Sequence, residues 1–185
     1  MAKGKLLVIS GPSGSGKDTI LAMFCQKHPD WESPLSTTTR QPRPGEVNGE
    51  DMNFVSRDEF QEMAREGKFL EYFEVADNLY GTLREPVESL LHSDKNVVLR
   101  KDVQGALEIK KLMPEATIAI IVPDSEVALE ERLRTRASDS ESVINRRLAI
   151  AKDELATQDM FDHVIINPQG KPEQALADLE KALNL

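Results

Sequence analysis

The stretch Gly11-Pro12-Ser13-Gly14-Ser15-Gly16-Lys17-Asp18-Thr19 has the residue types and spacing to do chemistry. Glycines at 11, 14 and 16 let the backbone fold tightly and turn its N–H groups inward, which makes a concave anion site. The apolar run 6–9 precedes it and reads as a buried strand, and 19–25 follows as a helix whose dipole adds positive charge at the loop. Strand, glycine-rich turn and helix in that order is the setting of a phosphate-binding loop, with Lys17 placed to reach the β- and γ-phosphates of a nucleotide. Gly11, Ser13, Gly14, Ser15, Gly16, Lys17, Asp18 and Thr19 are the candidate phosphate-binding residues. Asp18 stands where Ser or Thr normally follows the lysine, so Thr19, the nearest hydroxyl, is the candidate for a magnesium ion, directly or through water.

A second group of candidates is cationic. The formal net charge is −9, so a general nucleic-acid-binding surface is not expected. The eleven arginines are nevertheless clustered, five of them between Arg132 and Arg147, which suggests local anion sites. Arg40 and Arg43 stand on a loop stiffened by Pro42 and Pro44, where two guanidinium forks can clamp a phosphate. Glu71 sits inside an apolar frame, 69–75; a glutamate there most often faces solvent, and is otherwise held for a ligand. The single Cys25 falls on the apolar side of a helix and reads as core rather than nucleophile.

These residues need a scaffold. With 185 residues, 39 % hydrophobic and 30 % charged, the chain has the length of one domain and enough apolar content for a core. No apolar run approaches the roughly 20 residues of a membrane span, and residues 1–5 lead into the first strand without a visible signal peptide. With one cysteine, a reducing cytoplasm is the expected location; no membrane or nucleic-acid partner is expected, and monomer and homodimer are both open. After a break at 29–34, strand patterns at 96–99, 116–122 and 164–166 alternate with helical patterns over 103–113, 125–136, 141–160 and 171–185. The alternation predicts an α/β domain with a mainly parallel sheet and a ligand crevice at the carboxyl ends of its strands. The polar, strand-poor stretch between Ser36 and Asn96 interrupts it and reads as an insertion. Within it, 36–39, 52–55 and 69–75 are strand-like, and Ser56-Arg57-Asp58-Glu59 is a capping box for a helix that Gly67 closes. Residues 78–82 read as a turn before a short helix from about 85 to 92.

Taken together, the chain resembles the guanylate kinase family over nearly its whole length, from Gly11 to Asn167. The resemblance is carried by Ser36-Thr37-Thr38-Thr39-Arg40-x-Pro42-Arg43-x-Gly45-Glu46, Gly49-x-Asp51-x-Asn53-Phe54-Val55, Tyr80-Gly81-Thr82 and Asp102-x-Gln104-Gly105. It implies an α/β P-loop NTPase three-layer fold with a central parallel sheet: a core of 1–35 and 96–185, a GMP-binding insertion of about 36–95 and a small lid of about 134–147. It further implies phosphoryl transfer from Mg-ATP to GMP, and to dGMP, with ATP and Mg²⁺ held at the phosphate-binding loop. By position, Ser36, Glu71, Thr82 and Asp102 would read guanine, and Arg40, Arg43 and Tyr80 the GMP phosphate. Lys17, Arg132, Arg136 and Arg147 would surround the transferring phosphoryl. The chemistry agrees, because guanine offers N1–H and N2–H₂ donors to carboxylates and an O6 acceptor to a hydroxyl; adenine would leave a buried carboxylate unpaired.

Some positions depart from the family pattern. Met52 stands where a tyrosine usually contacts the GMP phosphate, so weaker GMP binding is expected. Arg100-Lys101 replaces a pair that is often acidic then apolar, which removes a carboxylate near the guanine or metal and brings Arg100 charge close to the phosphates. Ala137 replaces the glycine usual after the lid arginine. Two alternative functions remain: a P-loop kinase with a shifted acceptor such as a ribose phosphate, and a non-catalytic phosphopeptide-binding module. Intact Gly16-Lys17 and the lid arginines favour catalysis.

Overall fold

The computed structural model describes residues 4–75, 77–135 and 141–185. Five strands, β1 (Leu6–Ser10), β2 (Trp31–Glu32), β7 (Asn96–Arg100), β8 (Thr117–Pro123) and β9 (His163–Asn167), form a parallel sheet in the order β2-β7-β1-β8-β9. β1 is buried along its length because helices cover both faces, and its alternate side chains enter different cores. Leu6 and Val8 pack with Val87 and Leu91 of α3 (Arg84–His92) and Ala106 and Ile109 of α4 (Val103–Leu112). Leu7 and Ile9 pack with Ile20 and Phe24 of α1 (Lys17–Lys27) and Leu176 and Leu179 of α7 (Pro172–Leu183). These two cores make the three layers expected. Cys25 is half-buried against the second of them, and burial pushes its thiol pKa up, as suits a packing residue.

A second sheet orders β4 (Asn53–Phe54), β3 (Ser36–Thr38), β6 (Asn78–Leu83) and β5 (Phe69–Val75). The stretch between Ser36 and Asn96 is therefore not strand-poor. Its strands are short and rich in Thr and Gly, which mutes the apolar alternation that signals a strand. Residues 78–82 are strand rather than turn: β6 is central, antiparallel to both β3 and β5, and the reversal lies at Asp77, whose φ is 64°. α2 (Arg57–Arg65) begins with the expected capping box, and Gly67 follows its end at φ 69°. Phe60 of α2 stacks on Phe69 and, with Leu79, gives this sheet a small core of its own.

Two boundaries also differ from the sequence pattern. The break at 29–34 contains β2, which pairs with β7 through Trp31 and Glu32; two residues are too few to show a period. α6 (Glu141–Leu155) stops short of Met160, because the Thr157 hydroxyl and N–H both take the Glu154 carbonyl and only a 3₁₀ turn, Gln158–Met160, follows. α6 packs on α5 (Glu126–Thr135) through Leu129, Leu133, Ile144 and Ala151.

Candidate active site: two clefts on either side of Lys17

The phosphate-binding loop leaves β1 at its carboxyl end and enters α1. Gly16 caps that helix at φ 90°, and a Cβ there would lie 2.2 Å from Asn167 Nδ2. Glycine is therefore required for two reasons at once, conformation and space. The loop is held from outside: Asn167, at the end of β9, donates to Ser15 O at 2.7 Å. Arg132, from α5, donates to Ser15 O at 3.1 Å, to Asn167 O at 2.8 Å and to Gln169 Oε1 at 2.7 Å. Lys17 Nζ reaches back to Pro12 O at 3.4 Å, spanning the loop. Burial pushes the Lys17 ammonium pKa below its ordinary value, against the nearby charges of Asp18 and Glu154.

The first turn of α1 divides two clefts. On one side Gly14, Gly16, Thr19, Arg132 and Asn167 line a space of ≈ 380 Å³. On the other, Lys17, Asp18, Ser36, Arg40, Arg43, Tyr80 and Asp102 face a space of ≈ 360 Å³, closed by Met52, Arg100 and Lys101. Both have the size of small-ligand sites. Candidates from the core (Lys17, Asp18 and Asp102) and from the insertion (Ser36, Arg40, Arg43 and Tyr80) thus converge on this second cleft, at the carboxyl end of the parallel sheet.

Its cationic end is arranged by carboxylates. Arg40 offers Nη1 to Glu46 Oε2 at 2.9 Å and Nη2 to Oε1 at 3.0 Å, while its Cζ lies 5.4 Å from the Phe54 ring centroid. The same Glu46 accepts the Arg43 N–H at 2.7 Å. Pairing with Arg40, then the Arg43 amide, lowers the Glu46 carboxyl pKa to about 2. Met52 Sδ sits 3.5 Å from Arg40 Nη2, in the position where a hydroxyl was expected to be missing. Arg100 pairs with Asp18 at 3.0 Å.

The opposite end is anionic and dry. Glu71, on β5, is buried rather than solvent-facing, since β5 presents that residue to the core sheet. Glu71 Oε1 accepts the Thr82 hydroxyl at 2.6 Å, and Lys101 Nζ lies 2.9 Å away. Glu71 Oε2 is buried with no hydrogen-bond partner among the described residues. It lies above the start of α4, where Asp102 is the N-cap and accepts the Gly105 N–H at 2.8 Å. Burial raises the Asp102 carboxyl pKa, opposed by the Gly105 amide, and the Glu71 charge adds to the rise. Ser36 and Asp102 line one end of the cleft; Ser36 pairs across the strands with Thr82, and Thr82 and Glu71 are buried next to them.

The other candidates are less central. Arg147 lies half-buried on α6, one residue before Leu148, which packs against the α5–α6 core. Arg136, Ala137 and part of the 134–147 lid fall outside the described residues. The sequence pattern missed three contributors. Asn167 ends a strand and gave no local signal. Glu154 is half-buried on α6, where burial raises its pKa and the Lys17 charge opposes the rise, so α6 faces the site. Lys101 was noted for its type, but its burial against Glu71 was not foreseen.

A parallel-sheet core, a phosphate-binding loop and an acceptor cleft built from a second sheet define a nucleotide-binding protein of the P-loop class. The family model described as guanylate kinase matches residues 3–185. A guanylate kinase of Nostoc sp. is 47 % identical over 180 residues, covering 97 % of this chain and 89 % of its own length. One from Rubrobacter xylanophilus is 43 % identical over 167 residues, covering 90 % and 87 %. The crystal structure of guanylate kinase from Anaplasma phagocytophilum superposes with a TM-score of 0.76 at 29 % identity, covering all of this chain and 86 % of that one. The chain belongs to the guanylate kinase family.

Proposed function

We infer that the protein is a guanylate kinase: it transfers the terminal phosphoryl of ATP to GMP, and to dGMP. The observation that carries this reading is the buried, unpartnered Glu71 Oε2 beside Asp102. A buried acceptor without a donor costs free energy in the free protein, and the N1–H and N2–H₂ edge of guanine supplies the missing donors. Ser36 and the Thr82 hydroxyl complete the base end. Arg40 and Arg43 bind the monophosphate, with Glu46 fixing the Arg40 fork before the ligand arrives.

The Gly11–Thr19 loop would take the ATP phosphates on its backbone N–H groups, and Lys17 would exchange Pro12 O for them. Arg132 keeps the loop in shape through Ser15 O. Arg147, with Arg136, would add charge from the lid side. Magnesium, when bound, neutralises charge on the phosphates during transfer. It commonly takes one or two carboxylates with phosphate and water oxygens, and Asp18 and the Thr19 hydroxyl at the wall between the clefts fit that donor set. Little covalent chemistry is asked of the side chains; they position both nucleotides and meet the charge on the moving phosphoryl. The 36–95 insertion and the 134–147 lid would close over the pair and exclude water. No helix among the described residues is long and apolar enough to cross a membrane.

The test is ADP formation from Mg-ATP with GMP, dGMP, AMP, UMP and a ribose phosphate offered separately. Turnover with GMP and dGMP alone is expected. Turnover only with another acceptor, or GMP binding without turnover, would overturn the assignment.

A further inference from the structure

Lys101 follows β7 directly, and its N–H donates to Ile9 O at 3.1 Å. Its ammonium meets Glu71 Oε1 at 2.9 Å, with the two side chains 5 % and 1 % exposed. The pair therefore joins the end of the parallel sheet to the second sheet. Lysine is almost never buried without a partner, and a buried ion pair is weak evidence for stability, so its presence at the base end of the cleft calls for another account.

The groups facing Glu71 come from three elements. Thr82 of β6 donates a hydroxyl, Lys101 brings a cation from the end of β7, and Asp102 of α4 brings a like charge. Lys17 acts on Asp102 from α1. Among the described residues, Lys101 is the cation in contact with Glu71. A buried carboxylate beside a like charge and without a counter-charge takes up a proton. The distinction matters for recognition. A carboxylate is acceptor-only and complements the two donors of the guanine edge. A neutral carboxylic acid offers one donor and one acceptor, which complements the N1 acceptor and N6–H₂ donor of adenine instead.

We propose that Lys101 sets the purine preference of the acceptor cleft by supplying the counter-charge to the buried Glu71 carboxylate. The proposal rests on the assignment of that cleft to GMP. Lys101 acts through Glu71 and is a positioning residue, not a catalytic one. The experiment is steady-state kinetics with GMP and AMP between pH 6 and 8.5 for the wild type, Lys101→Met, Lys101→Arg and the Lys101→Met/Glu71→Gln double variant. KM for GMP is expressed relative to the wild type at each pH, which cancels titration of the GMP phosphate.

For Lys101→Met the relative KM is expected to rise as pH falls, by up to about tenfold per pH unit, with the change on KM rather than kcat and a higher AMP-to-GMP ratio of kcat/KM. Lys101→Arg keeps the cation, so its relative KM stays independent of pH. With glutamine at position 71 the Glu71 carboxyl is gone while Asp102 remains, so the double variant is expected to lose the pH dependence; a dependence that persists there belongs to Asp102 and overturns the proposal. Should Lys101→Met fail to fold, Lys101→Gln gives the same reading. A pH-independent relative KM in the neutral variant, with normal GMP turnover by the wild type, overturns the role of Lys101. A wild type that phosphorylates no GMP overturns the assignment of the cleft and this inference with it, and that result is seen before any variant is made.

Discussion

Replacing Glu71 with leucine separates what the buried pair does for the fold from what it does for the ligand. The substitution leaves the Lys101 ammonium, 5 % exposed, without the carboxylate 2.9 Å away, and leaves the Thr82 hydroxyl without its acceptor. Removing one partner of a buried pair costs about 3–5 kcal/mol, because the remaining charge is uncompensated. For a chain of this length each ~1 kcal/mol moves Tm by roughly 2–4 °C, so a fall of about 6–20 °C is expected. Adding Lys101→Met removes the stranded charge, and most of the loss should return, since well-packed apolar replacements of buried pairs are often neutral. Urea unfolding of the wild type, both single variants and the double variant gives the coupling, and calorimetric titration with GMP gives the binding. The double variant is expected to be stable yet unable to bind GMP. A Glu71→Leu variant within about 1 kcal/mol of wild type, or a double variant no more stable than it, would refute the pairing argument. GMP binding by the double variant at wild-type strength would refute Glu71 as a reader of guanine.

Three further outcomes follow from the same geometry. The Asp102 carboxyl pKa is raised, chiefly by burial, so the charged form penalises the fold near neutrality and that penalty disappears as pH falls through the folded value toward the ordinary 3.8. Asp102→Asn, which keeps the helix cap, should have a higher urea midpoint than wild type at pH 7.5, with the gap narrowing by pH 4.5; a gap of constant size would contradict this. Asn167→Ala removes the 2.7 Å bond to Ser15 O and should cost about 1–3 kcal/mol, raising KM for ATP more than for GMP in initial-rate measurements. Met52→Tyr restores a hydroxyl beside Arg40 and should lower the GMP Kd by roughly ten- to a hundredfold, from about 1.5–3 kcal/mol for a hydrogen bond to a charged group; an unchanged Kd in calorimetry would remove Met52 from the account.

Most of the parallel core was legible because its central strands β1, β7 and β8 are buried on both faces. Runs such as Leu6 to Ile9 and Ile118 to Val122 announce themselves without needing a period. The second sheet was legible in part: 36–39, 52–55 and 69–75 read as strands and hold β3, β4 and β5, while β6 read as a turn. β6 reads as Asn-Leu-Tyr-Gly-Thr-Leu, with turn residues at two positions, yet it is held by β3 on one side and β5 on the other. The loop residues and arginines could be named from spacing and resemblance. Their states could not, because these depend on partners far along the chain. Asn167 reaches Ser15 across 152 positions, and Lys101 meets Glu71 across the joint between sheets.

Exposure also divides the labour within the acceptor cleft of this acidic protein. Arg100 and Asp18 are 49 % and 53 % exposed, a pair worth little in water that a phosphate dianion can displace at small cost. Arg40 is held bidentately by Glu46 and is oriented rather than neutralised, since its raised pKa keeps it charged and the fork keeps one geometry. At the base end the exchange is unfavourable: separating Lys101 from Glu71 would strand both charges away from water. On the proposed GMP assignment, the phosphate end would be built from contacts a ligand can replace, and the base end from one it must fit. Affinity for any nucleoside monophosphate would come from the first and discrimination between purines from the second, so substitutions at Arg100 should weaken all acceptors alike while those at Lys101 should change their order.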